Sequence, residues 1–164
     1  MNLAIEKRFN DLFAVCENTI LEGGGVEPQY LPSPGPGYAC RIIYREDFAA
    51  SALHEIAHWC IASGRRRQLT DYGYWYYPAR DFRQQAQFER VEARPQALEC
   101  LFSEACGLSF SPSADNLAVH ERDDTAFAAA IEVEVLRLRQ KLPPRAQRFV
   151  MALGAAFEPG RQLA

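Results

Sequence analysis

The chain has 164 residues with a formal net charge of −3, and 48% of it is hydrophobic and 12% aromatic. That length can enclose a core as one domain, 1–164, and the composition excludes a disordered chain. The acidic balance, with no basic run beyond Arg65-Arg66-Arg67, argues against a nucleic-acid partner, and no apolar run is long enough to cross a bilayer.

In chain order, residues 2–21 carry Leu3, Ile5, Phe9, Leu12, Phe13, Cys16 and Ile20 at helical spacing, and Gly23-Gly24-Gly25 reads as the turn that ends this helix. Residues 27–37 hold too much Pro and Gly for more than a short edge strand. Residues 38–45 (YACRIIYR) make the best strand in the chain. A helix follows over 47–64, with Asp47 suited to the N-cap and Gly64 to the C′ position. It is apolar nearly all round (Phe48, Ala52, Leu53, Ile56, Ala57, Trp59, Cys60, Ile61) and is expected to be buried. The three arginines after it complement the helix dipole. An acidic partner docking on them is the other reading.

From Tyr72 to Tyr77 five of six residues are aromatic. Either this is a strand covering the preceding helix, or its rings line the mouth of a pocket. Aromatic faces near Asp71 would suit a cationic side chain. Residues 81–107 are helical again, interrupted at Pro95, and end at Gly107. After a loop that contains His120, one helix runs from Asp124 to about Lys141. A last one runs from Arg145 to Phe157, with Phe149, Val150, Leu153 and Phe157 as its stripe. The expected class is α+β: helix-rich with a small sheet and no internal repeat.

The five cysteines (16, 40, 60, 100, 106) are odd in number, lack a C-x-x-C pair, and are not spaced as a disulfide scaffold. Cys60 and Cys100 are expected as small core residues. Residues 1–13 lack the basic-then-apolar order of a signal peptide, so a reduced, cytoplasmic, soluble protein is expected.

Chemistry enters with His54-Glu55-Ile56-Ala57-His58. Two histidines four apart on a helix stand on one side, one turn apart, and can share one metal ion. The spelling H-E-x-x-H is that of zinc metalloproteases. Two buried imidazoles and a buried carboxylate would be costly without a partner, and a cation supplies one. A metzincin-type extension is absent, because Ile61 and Gly64 occupy its glycine and histidine places. The third ligand is then a glutamate on a later helix. Glu92 is the choice, with Glu89 and Glu99 as alternatives on roughly the same side. With zinc, Glu55 would act as general base of a small peptidase. With iron(II), two histidines and one carboxylate make the facial triad of oxygenases. A structural ion in a non-catalytic module is a third possibility. Spacing alone leaves these open.

Four segments, E27-P-Q-Y-L-P, A50-S-A-L-H-E-I-A-H-W-C-I-A, Y72-G-Y-W-Y and Q87-F-E-R-V-E-A-R-P-Q-A-L, together resemble the elongation factor P hydroxylase family over about residues 27–117. The resemblance implies an iron-dependent enzyme that uses molecular oxygen to hydroxylate a β-lysylated lysine of the bacterial translation factor. It implies His54, His58 and Glu92 as the ligands of Fe(II), with Zn possible in purified protein. It also implies a zincin-like metalloprotease core reused for oxidation. Asp71, Tyr74 and Tyr76 are the expected substrate contacts. Under this reading Glu55 exchanges its hydrolytic role for orienting a ligand or binding a substrate ammonium.

Overall fold

The computed structural model describes residues 1–74, 80–113 and 125–157. Helix α1 (Asn2–Phe13) buries Ile5, Phe9 and Phe13. It ends well short of residue 21, because the chain reverses at Asn18, whose φ of 47° is left-handed. Ile20 therefore lies in strand β1 (Thr19–Gly25), not in the helix. The glycine run is likewise part of this strand and not the expected turn. A Cβ on Gly23 would stand 2.7 Å from the Tyr44 ring, and one on Gly25 would stand 2.7 Å from Ile43. Close backbone approach is the reason for glycine here, and the register slips between Glu22 and Gly25.

Strands β2 (Gln29–Leu31) and β3 (Cys40–Arg45) complete a three-stranded sheet in the order β1-β3-β2, with β3 parallel to β1 and antiparallel to β2. Side chains occupy both outer edges. The Asn10 amide donates to the Leu21 carbonyl at 3.0 Å and accepts from the Leu21 N–H at 2.8 Å. At the other edge the Tyr30 N–H donates to Asp71 Oδ1 at 2.8 Å.

Helix α2 (Ala49–Ile61) follows β3 almost directly. Neither predicted cap is used: Phe48 holds the N-cap position, half exposed, and Ala62 the C-cap. The C-terminal carbonyls are satisfied from a distance. Arg145 Nη2 donates to the Trp59, Cys60 and Ala62 oxygens at 3.0, 3.1 and 2.7 Å, and its guanidinium lies 4.7 Å from the centre of the Trp59 ring.

After two short 3₁₀ turns, helix α3 (Phe82–Cys106) runs through Pro95 without a break. Asp81 and Gln84 form a reciprocal capping box at its start, and Gly107 ends it at φ 68°. The expected interruption at Pro95 does not occur. Proline removes one backbone donor, but Ala93, Ala97, Leu98, Leu101 and Phe102 anchor both halves in the core. Helices α4 (Thr125–Gln140) and α5 (Pro144–Phe157) close the bundle; α5 buries Ala146, Phe149, Leu153 and Ala156. The described part is thus α+β, helix-rich with a small sheet, and among its helices none is long and apolar enough to cross a membrane.

Aromatic rings from four helices meet in the core. Phe9 packs edge-on to Trp59 with ring centres 5.0 Å apart, Phe13 lies 4.9 Å from Trp59, and Phe149 meets Phe102 at 5.0 Å. Trp59 thereby fixes one side of α2 in the core, and the histidines stand on the other. All five cysteines are free; Cys60 and Cys106 are buried, whereas Cys100, expected in the core, is only partly covered.

Candidate metal centre

Helices α2 and α3 pack along each other, and His54 and His58 from α2 face Glu92 from α3. The two Nε2 atoms are 3.0 Å apart. Glu92 Oε2 lies 3.2 Å from His58 Nε2 and 3.6 Å from His54 Nε2. Three donors spaced in this way suit one ion about 2.1 Å from each. Among the described residues these three form the group of histidine, cysteine and carboxylate side chains that could hold a metal ion. Glu92 is 2% exposed, so its charge sits in a site where it needs a cationic or protonated partner.

The other two glutamates considered as ligands lie elsewhere. Glu99 Oε2 is 2.8 Å from His54 Nδ1, on the far edge of the imidazole from Glu92. A carboxylate there orients the ring and leaves Nε2 for an ion. Burial works against a charge on His54. The Glu99 hydrogen bond, together with the charges of Glu55, Glu99 and Glu92, outweighs it and raises the pKa to about 9. Glu89 accepts from the Gln85 side chain at 3.1 Å instead.

The donors open into a cavity of about 850 Å³. Five carboxylates line it (Glu27, Glu55, Asp71, Glu92 and Glu99) against two guanidinium groups, those of Arg45 and Arg80. Such a chamber favours a cationic guest. Burial pushes the Glu55 carboxyl up, against the pull of the His54 and His58 imidazoles.

Asp71 and Tyr74 both line the cavity. Asp71 is partly engaged by the Tyr30 N–H, and Arg66 covers one face of Tyr74 at 4.4 Å. Tyr76, the remaining expected substrate contact, lies outside the described residues, as do His120 and Trp75. The aromatic stretch does not begin as a strand: Thr70–Gly73 is a 3₁₀ turn with Asp71 and Tyr72 in the left-handed region. Two of the three clustered arginines are used internally, Arg67 pairing with Glu17 at 3.0 Å and Arg66 donating to the Tyr72 carbonyl.

Two residues lie within stretches noted in the sequence but were not singled out there as site residues. Tyr72 is buried, stacks on Tyr30 with centres 4.3 Å apart, and lies parallel to the His58 ring. Gln96 is buried on α3 and makes a two-way amide pair with Ser113, its Nε2 donating to the Ser113 carbonyl and its Oε1 accepting from the Ser113 N–H. That pair ties a wall of the cavity to α3. Its signal was weak: a lone glutamine one turn from Glu92.

Two imidazoles and one carboxylate facing an accessible cavity make the donor set of a mononuclear metalloenzyme. The chain belongs to the Elongation factor P hydroxylase family, whose sequence model matches residues 8–164. It is also similar to the Elongation factor P lysine hydroxylase of Haemophilus influenzae, with 42% identity over 151 residues, 91% of this chain and 85% of that protein.

Proposed function

We propose that this chain is an iron(II)- and dioxygen-dependent hydroxylase of the β-lysylated lysine of bacterial elongation factor P. It works in the cytoplasm as a single zincin-like domain, and His54, His58 and Glu92 hold the ion. The observation that carries this reading is the convergence of those three donors on an acidic cavity, in a chain of this family. Iron supplies the activation of oxygen when bound. The residues do the rest. Glu99 fixes the His54 ring so that Nε2 faces the ion. Asp71 and Tyr74, with Glu27 on the same wall, receive a side chain bearing two ammonium groups. Trp59, locked in the aromatic core, holds α2 so that both histidines keep their spacing.

The test is mass spectrometry of modified elongation factor P after incubation with protein purified without air and loaded with iron. The gain of one oxygen atom, lost in His54→Ala and Glu92→Ala, is the expected result. Stoichiometric zinc in protein purified without added metal, with no oxygen gained under any reductant, would overturn it.

A further inference from the structure

Two polar side chains from residues that line the cavity take no part in gripping an ion, and among the described residues neither has a hydrogen-bond partner. Tyr72 is 4% exposed, and among the described residues its hydroxyl has no hydrogen-bond partner. A buried hydroxyl left without a partner is unfavourable and needs a reason. Its backbone adds to the oddity, with φ of 58° at Tyr72 and 48° at Asp71, where tyrosine and aspartate are strained. That turn is held from three directions: Asp71 accepts from the Tyr30 N–H, Arg66 donates to the Tyr72 carbonyl, and the Tyr30 ring stacks on Tyr72. The fold therefore maintains a strained turn that keeps an unpartnered phenol against the metal helix. Burial raises its pKa well above the ordinary value, so it remains a donor. The second group is Glu55, which makes no hydrogen bond or ion pair among the described residues and lines the same cavity.

A donor and an acceptor without partners in one chamber match a ligand that offers an acceptor and a donor. An ammonium group alone would need only carboxylates. A secondary amide offers a carbonyl oxygen on one edge and an N–H on the other. Resting on the proposed function, in which the substrate lysine is acylated through its side-chain nitrogen, we infer that Tyr72 and Glu55 recognise the linking amide. The Tyr72 hydroxyl donates to its carbonyl, and Glu55 accepts from its N–H. The pair would then separate the acylated lysine from a bare one at the point of attachment, not through its distal ammonium groups.

The test uses full-length elongation factor P in two forms, one with the natural amide link and one with an (E)-alkene in its place. The alkene keeps length, planarity and both ammonium groups. Binding is measured with iron-loaded enzyme under nitrogen. Wild-type enzyme is expected to prefer the amide form by roughly 10- to 100-fold, on the order of one or two hydrogen bonds. Tyr72→Phe, which keeps the ring on Tyr30, should shrink that preference about 10-fold, with a melting temperature no lower than wild type because it removes an unpartnered hydroxyl. Glu55→Gln should shrink it as well. Equal binding of the two forms by wild-type enzyme would overturn the inference without reference to any variant. So would a Tyr72→Phe enzyme that keeps the whole preference, or one that weakens both forms equally. If wild-type enzyme binds the amide form but adds no oxygen to it in air, the hydroxylase reading fails while amide recognition stands.

Discussion

Glu99 and Glu92, seven residues apart on α3, approach opposite edges of the same His54 imidazole, Glu99 at Nδ1 (2.8 Å) and Glu92 at Nε2 (3.6 Å). Two turns of one helix thus supply both the donor beside the ring and the group that orients it. This division gives the two residues different weights. Glu99→Ala should weaken metal binding about 10- to 100-fold, the usual cost of losing an orienting carboxylate, whereas Glu92→Ala should reduce it to the level of two histidines alone. Competition titration against a chelator of known affinity separates them. Equal losses would mean that Glu99 also holds the ion.

Arg145 is the C-terminal cap of α2. Its removal leaves three carbonyls of a buried helix end without their donor and takes away the contact with Trp59. Arg145→Ala should cost about 2 kcal/mol, lowering the melting temperature by roughly 4–8 °C. Because α2 carries the histidines, metal affinity should fall in the same variant. Unchanged thermal unfolding would show that water replaces the guanidinium at no cost.

Gly23 is required by contact, not by conformation. An alanine there would place its Cβ 2.7 Å from the Tyr44 ring and 2.9 Å from the Glu46 carbonyl. Gly23→Ala should destabilise the protein by about 1–3 kcal/mol, seen as a lower urea midpoint with an unchanged slope. A neutral result would mean that β1 and β3 can separate locally without penalty.

The cysteines should divide by reactivity. Burial pushes the Cys60 thiol far up and the Cys106 thiol to about 11, so neither is a thiolate at neutral pH. Cys16 is exposed at the end of α1. Alkylation at pH 7 followed by peptide mapping should label Cys16 first and spare Cys60 and Cys106 until denaturant is added. For Cys106, raising the pH toward 11 favours the thiolate; labelling at pH 7 in native protein would indicate that α3 opens locally.

The parts of this molecule legible in the sequence are those in which a local pattern carries the information. His54 and His58 are set by helical spacing, and β3 by its run of Ile42, Ile43 and Tyr44. Where packing decides, local rules mislead. Ile20 continues a helical period yet lies in a strand, because Asn18 turns the chain. Pro95 should break a helix, but core contacts on both sides carry α3 through it. The partner of Asp71 is a backbone amide 41 residues away, and the cap of α2 comes from α5. The Pro95 result bears most on the site: a break there would have uncoupled Glu99 from Glu92.

The side chains that occupy the sheet's margins have a consequence for behaviour at high concentration. Three strands with open borders invite another polypeptide to add on, the first step toward fibrils. Here Asn10 takes both hydrogen-bonding groups of Leu21 and Asp71 takes the amide of Tyr30, so an intruding strand meets an interrupted ladder on either flank. Asp71 thus guards one flank of the sheet against self-assembly while it helps to shape the wall of the cavity.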